Sequence, residues 1–288
     1  MKGKKQVLLG VVTYNPTLEE FTNNILDAVG QCDDWIVFDN GSDQADQIER
    51  FVKANKGHIF LCRKNRGIAY ALKCIMKYAY SNGYEWVLTM DQDSRIFPDL
   101  VSTYLSFSET DGIGAMSCLM KDKNYSVVEH SNIENEYVEV EHCITSGCFM
   151  NTAAYMSTDG YDQRLFIDRV DDDICFSLRD CGYKVICINK FGLLHQLGGG
   201  KDVSWFGHSF IYTNHPAWRQ YYMSRNTVYV SKKHPKLDPI GKALYYELIR
   251  IMVTFIYEHD KFAKLKNSLK GLRDGFRMRT TERTVKYE

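Results

Sequence analysis

Residues 85–94 read EWVLTMDQDS, an apolar run of strand length, Glu85 to Met90, that stops on Asp91, Gln92 and Asp93. Successive apolar positions describe a strand buried on both faces, as in a parallel sheet covered by helices. Three similar segments lie upstream. Val7–Val12 (VLLGVV) ends on Thr13, Tyr14 and Asn15, Trp35–Phe38 ends on Asp39 and Asn40, and His58–Cys62 runs towards Asn65 and Gly67. Helical spacing fills the intervals. Thr17–Val29 has apolar residues at 18, 21, 25, 26 and 29, Asp46–Ala54 turns Ile48, Phe51 and Val52 inward, and Ile68–Tyr80 predicts a third helix. Such β-α-β repetition predicts an α/β fold with a mostly parallel central sheet. In an open sheet of this kind the carboxyl ends of the strands share one edge, where ligands bind, so the polar strand ends predict one nucleotide-sized site.

Downstream the pattern changes. Glu109 to Val140 reads as short extended pieces, and Cys143–Met150 (CITSGCFM) is apolar around a Thr145, Ser146, Gly147 turn. The most acidic stretch, Ile167–Asp173 (IDRVDDD), leads into a helical Ile174–Cys181, then a strand Val185–Asn189. Phe191–Gly200 (FGLLHQLGGG) ends in three glycines, which suits a backbone close to a ligand.

The 288 residues carry 36 Lys and Arg against 36 Asp and Glu, a neutral sum that gives no overall cationic field for nucleic acid. The sum conceals a split. Residues 232–288 hold 14 basic against 7 acidic side chains, a net of +7, which leaves −7 for residues 1–231. Composition therefore divides the chain into an acidic region 1–231 and a basic, aromatic-rich helical region 232–288. In the latter, Ala243–Tyr257 (ALYYELIRIMVTFIY) is nearly continuous apolar and aromatic, followed by Lys261, Lys264, Lys266 and Lys270. Two readings stay open for this region: peripheral contact with an anionic membrane, or a cover for residues 1–231 or a homodimer contact. No apolar run approaches the ~20 residues needed to span a bilayer, and the apolar run after Met1–Lys5 is too short for a signal peptide. The nine cysteines show no C-x-x-C spacing and read as reduced, buried thiols. The expected location is the cytoplasm, including the inner face of the plasma membrane.

A D-x-D tripeptide offers hard oxygen ligands for Mg²⁺ or Mn²⁺. With 22 aspartates, about 1.7 such tripeptides arise by chance and two occur, so location must carry the argument. Asp91 and Asp93 end a hydrophobic strand where the other polar ends converge, which favours metal over a solvated turn. The run Asp171, Asp172, Asp173 is repulsive unless a cation, a helix dipole or a catalytic demand offsets it, and a general base for a hydroxyl needs such a carboxylate. Position alone suggests His195 as a third metal ligand.

With VVTYNP, VFDNGS, KNRGIAYA, TMDQDS, TSG at 145–147, FIDRVDDDICFSLRDCGYK at 166–184 and LLHQLGG at 193–199 in this order, the chain resembles the family 2 glycosyltransferases of the GT-A fold. Within them it is most similar to the bacterial rhamnosyltransferases, over roughly residues 6–230, and GLRDGFRMR at 271–279 resembles them too. The resemblance implies a Rossmann-like GT-A sheet flanked by helices with a helical C-terminal extension. It implies that Thr13, Tyr14 and Asn15 line the nucleotide pocket, that Asp39 hydrogen-bonds the pyrimidine, and that Asn65, Gly67 and Gln92 shape the same pocket. Asp91 would approach ribose and metal, Asp93 would be the main ligand of Mg²⁺ or Mn²⁺, His195 a further ligand, and Arg225 would reach the diphosphate.

The same resemblance puts the catalytic base at Asp171, with Asp168 and Asp173 contacting sugar or acceptor. Rhamnosyltransferases usually show V-D-x-E, whereas Asp173 replaces the Glu here, so Asp171 and Asp173 both stay open as the base. The implied reaction is an inverting transfer of L-rhamnose from dTDP-L-rhamnose to a hydroxyl of a cell-surface glycan or lipid-linked saccharide. A galactofuranosyl or hexosyl transferase using a UDP-sugar is the alternative. A Mg-dependent phosphatase fits less well, because three β-α units precede Asp91.

Overall fold

The computed structural model describes residues 6–122, 134–195, 201–205, 208–212 and 214–280. Their contacts divide into two compact units, one drawn from 1–164 and 174–196, the other from 165–173 and 197–288. The second unit thus takes in the acidic stretch and begins well ahead of the change in composition at 232.

In the first unit, β1 (Val7–Thr13), β2 (Asp34–Asp39), β3 (His58–Leu61) and β4 (Trp86–Asp91) alternate with α1 (Leu18–Val29), α2 (Ala45–Ala54) and α3 (Ile68–Ser81). The strands lie parallel in the order β3-β2-β1-β4, as the repeated β-α-β pattern requires. Helix α1 buries Phe21, Ile25 and Ala28 at the i, i+4, i+7 spacing of one face. Gly10 lets α3 close on β1, since a Cβ there would lie 2.5 Å from Cγ2 of Ile75.

The sheet continues past β4 with β8 (Cys148–Asn151), β6 (Ile113–Asp122), β9 (Lys184–His195) and the short β5 (Arg95–Ile96), while β7 (Tyr137–Glu139) pairs with β9. Strand β8 runs antiparallel to both β4 and β6, and β6 runs parallel to β9. The strand expected at Val185–Asn189 runs on through Phe191–His195 as one strand. Its register jumps from Cys118↔Ile188 to Leu119↔Phe191, so Asn189 and Lys190 form a bulge whose polar pair mimics a strand end. Lys190 uses that bulge to reach the carbonyl of Asp99 (3.0 Å) and the hydroxyl of Thr103 (2.6 Å) beside α4 (Leu100–Ser106). Phe149 of β8 stacks between Trp86 and Tyr104, with ring centres 4.9 and 5.0 Å apart, and fixes β8 and α4 against β4. The short α5 (Thr152–Met156) follows β8, its N-cap Asn151 accepting from the amide of Ala154 at 2.8 Å.

Helix α6 (Val170–Asp180) starts at the acidic stretch, four residues before the expected Ile174. Asp171, Asp172 and Asp173 occupy its first turn, where the helix dipole favours negative charge.

The second unit has the hairpin of β10 (Lys201–Trp205) with β11 (His208–Tyr212), and the helices α7 (Ala217–Lys233), α8 (Ile240–Tyr257) and α9 (Lys261–Arg277). Helices α7 and α9 pack backbone to backbone because Gly271 and Gly275 face α7. A Cβ on Gly271 would lie 2.3 Å from the carbonyl oxygen of Tyr221, and one on Gly275 2.5 Å from that of Arg225. Lys264 is buried, and its ammonium reaches Glu258 at 2.8 Å and the side chain of Asn214 at 2.6 Å. No cysteine forms a disulfide, but only Cys143, Cys148, Cys175 and Cys187 are buried as expected; Cys32, Cys62, Cys74 and Cys118 are half-buried, and Cys181, which follows the last turn of α6, is exposed.

Candidate active site

The polar ends of the first four strands are stitched together at the carboxyl edge. Asp39, fully buried at the end of β2, accepts from Thr13 Oγ1 (3.0 Å), Ser42 Oγ (2.5 Å), and the amides of Gly41 (3.2 Å) and Ser42 (3.0 Å). The resemblance assigns this carboxylate to a pyrimidine, yet both of its oxygens are engaged by its own loop. Asn15, at φ 47°, bridges the same loop, its amide donating to Ser42 Oγ and its side chain accepting from the amide of Asp43, each at 2.8 Å. The side chains of Asn40 and Asn65 bond at 3.0 Å, and Asn65 also receives the amide of Gly67. Gly41 sits at φ +91°, where an added Cβ would lie 2.8 Å from the backbone of Lys64, so only glycine lets the two loops close. Gly67, at φ 86°, caps α3.

Gln92 links this cluster to β4. Its side-chain amide pairs with the backbone of Tyr14, accepting from the amide at 2.8 Å and donating to the carbonyl at 3.3 Å. The ring of Tyr14 is left exposed at the edge. Asp91 ends β4 beside the Thr145, Ser146, Gly147 turn: its amide donates to Ser146 Oγ at 3.2 Å, the Gly147 amide to the carbonyl of Thr89 at 2.8 Å, and the Tyr104 hydroxyl to the carbonyl of Gly147 at 2.7 Å.

Asp93 stands apart. Its Oδ1 is buried without a hydrogen-bond partner, and an orphaned carboxylate oxygen is costly unless something else satisfies it. A hard divalent cation is such a group, so the donor set fits Mg²⁺ or Mn²⁺. The register helps: Arg95 and Ile96, just after Asp93, pair with Leu194 and Leu193, which brings the backbone of His195 beside the D-x-D turn. The His195 side chain and residues 196–200, with the three glycines, lie outside the described residues. Among the described residues no three His, Cys, Asp or Glu converge as a metal cage.

In the second unit the acidic stretch splits into distinct environments. Asp173 is fully buried and held by Lys233 at 2.8 Å and His234 Nε2 at 3.1 Å, both themselves buried. Asp168, at φ 65°, takes the Arg219 guanidinium on both oxygens, the shortest contact being 2.8 Å. Asn226 fixes this strained turn by donating to the carbonyls of Ile167 (2.7 Å) and Asp168 (2.9 Å). Arg169 is paired with Asp238 and Asp172. Asp171 is half-buried in the first turn and accepts the amide of Asp172 at 3.1 Å. Arg225 lies over the ring of Tyr222 at 4.7 Å and donates to Asn226 at 2.9 Å.

Sequence reasoning missed Arg219, Lys233 and His234. They lie some 50 to 60 residues from the aspartates they hold, and only Arg219, six residues before Arg225 in WRQYYMSRN, had a neighbouring motif to draw attention to it. Asn40, Ser42 and Asn65 were more legible, because they follow strands.

A sheet of this topology with a D-x-D at the end of β4 defines a nucleotide-sugar-binding frame, and residues 9–166 match the family model "Glycosyl transferase family 2". The chain belongs to that family and is a glycosyltransferase of the GT-A fold, which removes the phosphatase alternative. It is 25% identical, over 93% of its length and 94% of the relative's, to the dTDP-rhamnosyl transferase RfbF of Shigella flexneri. Among solved structures it is similar to S. aureus TarS 1–349, with a TM-score of 0.64 and 14% identity, covering 94% of this chain and 80% of that one. It spans 44% of the longer S. aureus TarS chain, with 88% of its own length covered, a TM-score of 0.58 and 17% identity. The mannosyltransferase PcManGT of Pyrobaculum calidifontis, solved with GDP-Man and Mn²⁺, gives a TM-score of 0.56 at 14% identity, covering 97% and 77%.

Proposed function

We propose that the chain transfers L-rhamnose from dTDP-L-rhamnose to an acceptor hydroxyl of a surface glycan or lipid-linked saccharide, with inversion. The whole-length similarity to a dTDP-rhamnosyl transferase supports the donor. The observation that carries the site is the partnerless buried oxygen of Asp93 at the edge where Thr13, Tyr14, Asn15, Asn65 and Gln92 are locked together. In this reading the base and ribose lie against the exposed Tyr14 ring and the loops around Asn65 and Gly67, while Asp39 acts as a positioning residue for Thr13 and Ser42. Asp93, with Asp91 and His195, would hold a divalent cation, whose charge offsets that of the departing nucleoside diphosphate.

Asp171 is the general base. It takes the proton of the acceptor hydroxyl as that oxygen forms a bond to the anomeric carbon and the bond from that carbon to the diphosphate breaks. Asp173 is buried between two cationic partners and Asp168 holds the Arg219 guanidinium, whereas the half-buried Asp171 is reachable from solvent, which supports Asp171 among the three. Arg225 contributes positive charge for the diphosphate.

Asp171→Asn tests this. Transfer should fall by about 10²- to 10⁴-fold, as expected for loss of a general base, while thermal stabilisation by dTDP-L-rhamnose with Mn²⁺ stays as in the wild type. Full activity in that variant would overturn the assignment, and stabilisation by UDP-galactofuranose or UDP-glucose instead would replace the donor.

A further inference from the structure

Helix α8 carries apolar side chains on its exposed side as well as its buried one. Tyr245, Leu248, Met252, Phe255 and Ile256 are exposed along one stripe, whereas the opposite face buries Glu247 and Thr254. The buried side mixes Ala243, Ile251 and Val253 with a polar cluster, in which Glu247 accepts from Ser224 of α7 and from Arg250 (2.6 Å), which also reaches Gln220. An apolar and aromatic stripe left exposed on a helix that already buries apolar residues on its other side is arranged for a second apolar medium.

Helix α9 extends this surface with a different chemistry. Phe262 (80% exposed), Leu269 and Phe276 recur every seventh residue and so form one ridge about 21 Å long. Lys266, Lys270, Arg273 and Arg277 run alongside it, all exposed. The rings of Phe255 and Phe262 meet edge to face at 5.8 Å, which joins the ridge to the stripe of α8. Asp260 is the single exposed acidic residue among described residues 240–280. Glu258 is buried against Lys264, and Asp274 is paired with Arg273.

We propose that the outward faces of α8 and α9 form a docking surface for an anionic lipid bilayer, with Phe262, Leu269 and Phe276 entering the interface and the flanking cations meeting the headgroups. Charge complementarity selects this occupant. A second copy would bring the same cation row against its own image, whereas anionic headgroups neutralise it. No helix among the described residues is long and apolar enough to cross a membrane, so the chain would lie on the surface rather than span it. The inference needs no sugar nucleotide and stands apart from the reaction proposed above.

The test is co-sedimentation of the full chain with vesicles of equal parts phosphatidylglycerol and phosphatidylcholine, against phosphatidylcholine alone. Binding is expected to the anionic vesicles only and to weaken at 1 M salt, where the screening length is about 3 Å. Lys266→Gln and Arg277→Gln should each lower the partition constant about 5-fold. The triple variant Phe262→Ser, Leu269→Ser, Phe276→Ser should abolish binding while keeping the wild-type circular dichroism, since all three side chains are exposed. Equal binding to both vesicle types, or binding to neither, would overturn the proposal. So would a lipid-free dimer in light scattering that the triple variant makes monomeric, because the surface would then be a contact between copies.

Discussion

Two aspartates in one helical turn sit in different environments, Asp171 half-buried and Asp173 buried against two cations. Removing one partner of a buried ion pair costs about 3–5 kcal/mol, so Asp173→Asn, which strips Lys233 and His234 of their counter-charge, should lower the denaturation midpoint sharply. Asp171→Asn, at a half-buried position of the same turn, should lower it less; matched urea titrations of the two variants check the contrast. A residue nearby adds a pH dependence. Burial, and then the Arg219 guanidinium, hold the His215 imidazole below its ordinary value. A depressed imidazole contributes stability that is fully present above about pH 6.5 and is lost as pH falls through the folded-state value. His215→Gln should therefore gain on the wild type in melting temperature between pH 7 and pH 5, and a constant difference would exclude the effect. At this scale the sequence was readable wherever a strand end announced a residue: Asp91, Asp93, Asn15 and Asn65 fall where expected. It could not separate Asp171 from Asp173, because what separates them is a pair of cations sixty residues away.

Elements were legible where periodicity and β-branched residues agreed. Strands β1, β2 and β4 are rich in Val, Ile and Leu, and α1 to α3 repeat every three to four residues, so their bounds fall within one residue of expectation. Strand β6 escaped notice because its IGAMSCLMKD has one β-branched residue and three small ones, and holds its place through pairing with β8 and β9 rather than through propensity. Helix α9 carries its own test. Gly271→Ala or Gly275→Ala would push a methyl group into the carbonyls of Tyr221 or Arg225 and force α7 and α9 apart. Each should cost roughly 1–3 kcal/mol, despite the gain in helix propensity, as overpacking does. An unchanged or raised melting temperature would show that the two helices are not in backbone contact.

Over the whole molecule, a formal charge of zero hides two regions of opposite sign, and the split visible in composition does not coincide with the division into compact units. Residues 165–173 belong with the C-terminal helices, so the proposed base is held by the same unit as Arg219, Lys233 and His234. Composition could not reveal that, because a unit formed from two stretches of chain leaves no boundary in the sequence. The family defines a glycosyltransferase; the donor site proposed for it rests on the strand-end cluster and on Asp93. The most direct measurement is the melting temperature of the wild type and of Asp93→Ala with dTDP-L-rhamnose, with and without Mn²⁺. At a hundred times the dissociation constant a ligand stabilises by about 2.7 kcal/mol, roughly 5 °C or more for a chain of this size. The wild type should show that rise only when Mn²⁺ is present and Asp93→Ala should show none, whereas a rise without metal, or one retained in Asp93→Ala, would contradict the account.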